Sequence, residues 1–388
     1  MPATRGLYFR LSAYYFFHFG ALGALMPYWG PFLSAQGLRE ETIGILLAAL
    51  LGTKIVAPYV WGWLADHSGQ RMGVIRAGAL GAFLMFALLL ADTSLLLLVV
   101  VMLGFGFFWN AILPQFEAAT LTHLDRADHR YSLVRVWGSI GFIIAVIGVG
   151  EALETQAISE LPVYVLLFLA GTVVAVALAP ESGRTSASDR KQSVRKVLFD
   201  RKVFPLFAIF FLMEASHGPY YAFFSLFLED NGYSPSLVGR LWATGVIAEV
   251  GVFLLMPRML MRFGARQLLL FSLGAATLRW LLTALFIDKL PVILFAQTLH
   301  LASFGIYHAI AVYYVHRIFT GRLQGRGQAL YSSFGFGAGG AAGSLVSGFI
   351  WTAFQPAAIF ISAALMTAVA FMLALRRVDD VLPERQSQ

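Results

Sequence analysis

The sequence predicts an all-α polytopic membrane protein whose twelve transmembrane helices form two pseudo-symmetric six-helix bundles. Three observations lead there. Of the 388 residues, 59% are hydrophobic and only 13% charged, against about 45–50% apolar and about 25% charged in a soluble domain. Long apolar stretches recur along the whole chain, and its two halves repeat. With so little charge the chain cannot cover a water-facing surface, so a soluble enzyme, a nucleic-acid binder or a disordered scaffold fits poorly. Cysteine is absent, which excludes disulfides and thiolate metal sites; no cofactor and no metal are expected. Met1 to Leu7 does not open a cleavable signal, because the apolar stretch behind it is too long and lacks a small-residue cleavage site.

A spanning helix needs about 20 mainly apolar residues. Twelve stretches qualify: 8–33, 42–64, 72–91, 95–121, 132–150, 161–179, 203–228, 237–260, 267–287, 290–318, 326–350 and 356–375. Short polar turns separate them, and the alternating segments of about ten residues that mark a β-barrel do not occur. The one long connection, from Pro180 to Lys202, carries Arg184, Arg190, Lys191, Arg195, Lys196, Arg201 and Lys202. It divides the chain into an N-terminal bundle (1–180), a cytoplasmic linker (181–202) and a C-terminal bundle (203–388). Basic residues concentrate on the cytoplasmic side of membrane proteins. Placing both termini there collects most of the 28 Lys and Arg on that side and leaves Arg39, Arg240 and Lys289 opposite. The formal charge of +7 therefore reflects topology, and no nucleic-acid partner is needed.

The repeat has a shift of 195 residues. Phe32-Leu33, Gly37, Gly44, Gly69 and Arg71 fall on Phe227-Leu228, Gly232, Gly239, Gly264 and Arg266 without insertion. A duplicated six-helix unit with parallel repeats is a known transporter design. The same shift pairs Lys54 with Glu249, placing opposite charges at equivalent positions of the two halves.

An ionisable group inside a span costs about 2.5–3.5 kcal/mol on insertion scales and usually faces a cavity or a partner. Six occur: Lys54, Glu117, Arg135, Glu214, Glu249 and Arg279. Three are positive and three negative, so the set can neutralise itself around an interior hollow. The bland alternatives are snorkelling of Glu117 and Arg135, a structural ion pair for Lys54 and Glu249, local capping by Glu214 near Gly218-Pro219, and a structural clamp for Arg279. His18, His217, His300 and His308 lie within spans, and His300 and His308, eight apart, fall near one helical face. Tyr28, Tyr220, Tyr221 and Trp242 accompany these positions and suggest an aromatic wall, though lipid-facing bulk is the default. An apolar pocket with a few aimed charges suits an amphipathic small molecule.

Gly62-Trp-Leu64-Ala-Asp66-His-Ser-Gly69-Gln-Arg71 resembles the loop motif of the major facilitator superfamily. The resemblance implies that fold, with Gly62 and Gly69 allowing a tight turn and Asp66 and Arg71 latching a gate. Asn110, Glu117 seven residues on, and Arg135 eighteen further are similar to the proton-coupled lactose permease branch. There the Glu/Arg pair holds the sugar. Glu249, Arg279 and His300 resemble that branch's acid, arginine and histidine of spans eight to ten. Gln297, Ser303 and Phe142 stand where it has a Lys, a proton-site Glu and a sugar-stacking Trp.

A fuller match is the phenylpropionate permease group, similar at Thr42-Ile-Gly44, Val134 to Ser139, Ala215-Ser216-His217-Gly218 with Tyr220-Tyr221, Leu241-Trp242, Val246 to Glu249, Leu299-His300 and His308. It implies a proton-coupled importer of small, aromatic carboxylic acids in the inner membrane, working as a monomer with substrate and protons as its partners. The expected site comprises Lys54, Arg135, Glu117, Asn110, Tyr28, Phe142, His217, Tyr220, Tyr221, Trp242 and Arg279. Glu249 is the first proton carrier and Glu117 the second; His300 or His217 relays, and Glu214 is a further candidate. In the empty carrier Lys54 would pair with Glu249. A sugar or nucleoside symporter would keep the Glu117/Arg135 grip, while an exporter would carry a Gly-Pro element that this fifth span, Gly138-Ser-Ile-Gly141-Phe, lacks. A membrane enzyme would need a metal cluster, nucleophile elbow or phosphate loop that the sequence does not offer; the glycines between Gly335 and Gly340 read as close helix packing.

Overall fold

The structure, a computed structural model, describes residues 5–124, 128–181, 201, 203–320 and 323–378. The expected linker lies, apart from Glu181 and Arg201, outside the described residues. Among these residues twelve helices follow one another: α1 (Arg5–Ala35), α2 (Glu40–Ser68), α3 (Arg71–Ala87, continued by a 3-10 turn), α4 (Leu95–His123), α5 (Asp128–Leu153) and α6 (Leu161–Leu178). Then come α7 (Phe204–Asp230), α8 (Pro235–Phe263), α9 (Ala265–Leu285), α10 (Leu290–Ile318), α11 (324–353) and α12 (Pro356–Arg377). No strand occurs among the described residues. Among the described residues nine helices are long and apolar enough to cross a membrane; α1, α7 and α11 are the other three.

The polarity is that of a protein dissolved in lipid. Leu96 is 77% exposed and Leu254 76%, whereas Arg279, Glu214, His217 and Gln297 are buried. Apolar side chains can face hydrocarbon without penalty, while polar ones must find partners inside.

By internal contact the chain forms two compact units, one of Met1–Ser188 with Tyr221–Ala243, the other of Asp189–Tyr220 with Thr244–Gln388. In unit 1, α1 packs on α5 and α6 while α4 packs on α2 and α3; in unit 2, α9 packs on α12 and α10. The segment 221–243 belongs to unit 1 through specific bonds. The Tyr28 hydroxyl donates to the Val146 carbonyl (2.6 Å) and approaches that of Pro235 (3.4 Å). Glu154 accepts from the Ser236 amide (3.1 Å), and Arg240 pairs with Glu151 (2.5 Å). Gly150 and Gly239 leave room for this strap, since a Cβ at either would strike the Tyr28 hydroxyl.

The duplication is visible in the backbone. Among the described residues four glycines have positive φ: Gly37 (78°), Gly69 (66°), Gly232 (84°) and Gly264 (75°). They are two pairs separated by the 195-residue shift, each ending a helix in the left-handed region that other residues avoid. The matched arginines have diverged. Arg266 donates to the carbonyls of Val378 (2.7 Å) and Leu375 (3.0 Å), capping α12. The corresponding cap on α6 comes from Arg76, which reaches Val176 and Ala179, and Arg71 does not serve it.

Candidate functional site

Unit 2 buries a cluster built on Arg279. One guanidinium nitrogen donates to His300 Nδ1 (2.9 Å) and Ser303 Oγ (3.1 Å), another to Gln297 Oε1 (3.1 Å). The plane sits 4.4 Å from the Tyr220 ring and 4.5 Å from that of Trp280, a cation–π arrangement. Tyr220 donates to the same Gln297 oxygen (3.2 Å). Residues 297, 300 and 303 are three apart, so α10 presents all three to α9 on one face.

This geometry fixes a tautomer. Guanidinium groups only donate, so His300 Nδ1 is an acceptor and its proton lies on Nε2. That nitrogen is 3.4 Å from Glu249 Oε2 and donates toward it. Gly245 lies against the His300 ring and Gly305 against the Glu249 side chain, so small residues let α8 and α10 close on the pair. His217 has the opposite tautomer, because its Nδ1 meets the Met213 carbonyl (2.9 Å), which only accepts. Glu214, one turn before His217, packs beside Gly335 and Gly339 of α11. From Leu301 to Ile306 α10 winds as a π-helix. Its wider turns bring residues four apart nearly above each other. The rings of His300, Phe304 and His308 accordingly stack in parallel, each pair at 6°. His308 then meets the Tyr331 hydroxyl at 3.1 Å.

Unit 1 gathers Glu117, Tyr131, Arg135, His18, Lys54 and Asn110. Glu117 accepts from the Tyr131 hydroxyl (3.2 Å). Arg135 lies 3.9 Å over the Phe19 ring and 5.7 Å from that of Tyr15. It is close enough to Glu117 to act on it electrostatically, yet no ion pair joins them among the described residues. Nor does any described protein group accept a hydrogen bond from Arg135, which is half-buried. His18 stacks on Trp109 (4.0 Å, 5°) and Tyr14 (5.1 Å), and both Arg135 and Lys54 act on it electrostatically. Asn110 donates to Thr53 Oγ1 (2.8 Å), the neighbour of Lys54.

Other expected residues lie elsewhere. Tyr28 forms the strap, Trp242 donates to Ser225 (3.1 Å), Tyr221 is half-buried and Phe142 packs its backbone against Gly23. Lys54 belongs to unit 1 and Glu249 to unit 2. In the loop motif Gly69 caps α2 through its amide and the Ala65 carbonyl (3.1 Å). Gly62 adjoins Gln115, and Asp66 acts on Arg71 electrostatically without an ion pair among the described residues. The sequence reading named Gln297 and Ser303 only as departures from a relative; their three-residue spacing about His300 was the available signal for a shared partner.

Buried charge on lipid-embedded, duplicated helices defines a membrane transporter, and comparison with known proteins agrees. The chain belongs to the MFS_1 like family of the major facilitator superfamily, which matches residues 8–362. The probable 3-phenylpropionic acid transporter of Escherichia coli (strain K12) is 30% identical, over 88% of this chain and 90% of that protein. The maltose permease of Geobacillus stearothermophilus is 27% identical, over 93% and 92%. A mutant of the nucleoside transporter NupG has the same fold at a TM-score of 0.84 and 16% identity, covering 96% of this chain and 100% of that one. The protein is thus a multi-pass transport protein for small molecules and not an enzyme.

Proposed function

We propose that the chain is a proton-coupled symporter importing a small aromatic carboxylic acid by alternating access of its two bundles (1–180 and 203–388). The observation that carries this reading is Arg135, whose donors have no acceptor among the described residues. A planar guanidinium with its donors uncommitted grips a carboxylate in bidentate fashion. Phe19, Tyr15, His18 and Trp109 supply aromatic surface around it, with Lys54 as a second cation. The relative whose name carries 3-phenylpropionic acid supports the same substrate class.

Glu249 is the proton carrier. His300, locked by Arg279 with its Nε2 proton toward Glu249, steadies the carboxylate and yields its place when Glu249 gains a proton. His300 is then a positioning donor and does not itself charge, because Arg279 occupies the nitrogen that would have to accept the second proton. Moving a carboxylate substrate together with one proton keeps the buried site close to neutral, whereas either alone leaves an uncompensated charge in the low-dielectric interior. The protein works as a monomer in the inner membrane, with both termini cytoplasmic.

Labelled 3-phenylpropionate in proteoliposomes tests this reading. An inward proton gradient should drive accumulation, Glu249→Gln should abolish gradient-driven uptake while keeping counterflow, and Arg135→Gln should lose both. Indifference of Glu249→Gln in both modes refutes the proton assignment. The maltose permease relative favours one second reading, a sugar symporter in which Glu117, Tyr131 and Asn110 meet hydroxyls. Competition by neutral sugars, with none by aromatic acids, would establish it.

A further inference from the structure

We propose that the ends of α1 and α5 in unit 1 form a binding site for one anionic phospholipid, separate from the transport site. A cavity of about 420 Å³ opens there, lined by Arg5, Tyr8, Phe9, Leu124, Arg130, Leu133 and Val134. A second hollow, about 280 Å³, shares Phe9 and continues along α1 past Ala13, Phe16 and Phe17 to Trp137. The first is basic and the second, Ser12 apart, apolar. Joined at Phe9, they have the polarity of one phospholipid, a phosphate head above an acyl chain.

Three further features fit that ligand. Among the described residues Arg5 and Arg130 have no hydrogen-bond acceptor and no carboxylate lines the cavity. Guanidinium groups bind phosphate with both charge and directed hydrogen bonds. The wall between them is rigid, since Trp137 donates to the Tyr8 hydroxyl (2.8 Å) and Tyr8 donates to the Leu133 carbonyl (3.3 Å). Finally, the site lies at the start of α1, where a membrane helix leaves the hydrocarbon, and aromatic and basic residues gather at that depth. Basic residues beside a membrane surface each strengthen binding to anionic lipid by a few-fold.

Native mass spectrometry of the full-length protein, titrated with phosphatidylglycerol and phosphatidylcholine, tests the site. The wild type should retain one phosphatidylglycerol in preference to phosphatidylcholine. The Arg5→Gln/Arg130→Gln variant should bind it about thirtyfold more weakly, and Arg5→Lys/Arg130→Lys should keep most of the affinity. Ala13→Phe, which fills the groove, should weaken phosphatidylglycerol while leaving inorganic phosphate unaffected. Equal retention of the two lipids, or of phosphatidylglycerol by wild type and the Gln double variant, overturns the proposal. So does competition by inorganic phosphate coupled with indifference to Ala13→Phe, which would identify a simple anion site. Circular dichroism on each variant separates lost binding from lost folding.

Discussion

Two arginines inside the membrane, one per unit, have opposite surroundings. Arg279 is fully buried beside two aromatic rings and donates to His300, Ser303 and Gln297. Arg135 is half-buried over Phe19 and donates to no described group. The hydrogen bonds of the first orient other side chains, and the second is the cation that the function proposed above assigns to the substrate carboxylate. Charge in a membrane helix therefore does not by itself mark a binding residue; the commitment of its donors does.

Substitutions at the two arginines sharpen or break that contrast, and others test the packing around Gly239 and Glu154. The largest effect is expected for Arg135→Gln, which should lower kcat/KM for a carboxylate substrate by about a hundredfold or more, with Arg135→Lys intermediate because an ammonium lacks the fork. Equal loss from Arg135→Lys and Arg135→Gln would support bidentate geometry alone; no loss from either would remove Arg135 from the site. Next, Arg279→Met should leave Ser303 and His300 Nδ1 without that donor, and Gln297 with Tyr220 alone, at a cost of about 1–3 kcal/mol for each group left unsatisfied. It should lower the melting temperature measured by tryptophan fluorescence, whereas Arg135→Gln should hardly move it.

Gly239→Ala should be milder, about 1–3 kcal/mol, because the new methyl strikes the Tyr28 hydroxyl and the Val146 carbonyl and α8 must shift. Thermal unfolding of that variant beside Gly251→Ala, which meets open space, isolates the effect. Smallest is a pH effect at Glu154. Hydrogen bonds from Ser234 and Ser236 hold its carboxylate below the usual range. A depressed folded value means the stabilisation is present above the unfolded value and fades as pH falls through the folded one. The melting temperature should thus fall less steeply on acidification below about pH 4.5 in Glu154→Gln than in the wild type.

The helices and the duplication were legible because apolar length and spaced glycines are properties of the chain alone. Gly37, Gly69, Gly232 and Gly264 even announced their backbone conformation, since the repeat kept glycine where φ is positive. The six embedded charges were legible too, because charge in an apolar run is conspicuous whatever its environment. Their partners were not. Nothing local says that Gln297 and Ser303 serve Arg279, because that depends on which face of α9 meets α10. Tyr28 read as a substrate wall since a tyrosine after a proline break looks alike whether its hydroxyl reaches a ligand or the Val146 carbonyl. The shared motif arginines show the same limit: Arg71 and Arg266 match in register, yet only Arg266 caps the closing helix of its half.

The π-wound stretch of α10 separates His300 from His308 by more than a count of residues. Each π turn holds more residues than an α turn, so the helix beyond Ile306 is out of phase with the helix before Leu301. Wound as an ordinary α-helix with every residue kept, the segment would carry His308 about 80° off the column of His300, since eight steps of about 100° make about 800°. Deleting Ala302 as well leaves seven steps, about 700°, and would bring His308 back to within about 20° of that column. Indel tolerance at this turn, which no scan of point substitutions samples, is where the inheritance of helical phase would be exposed.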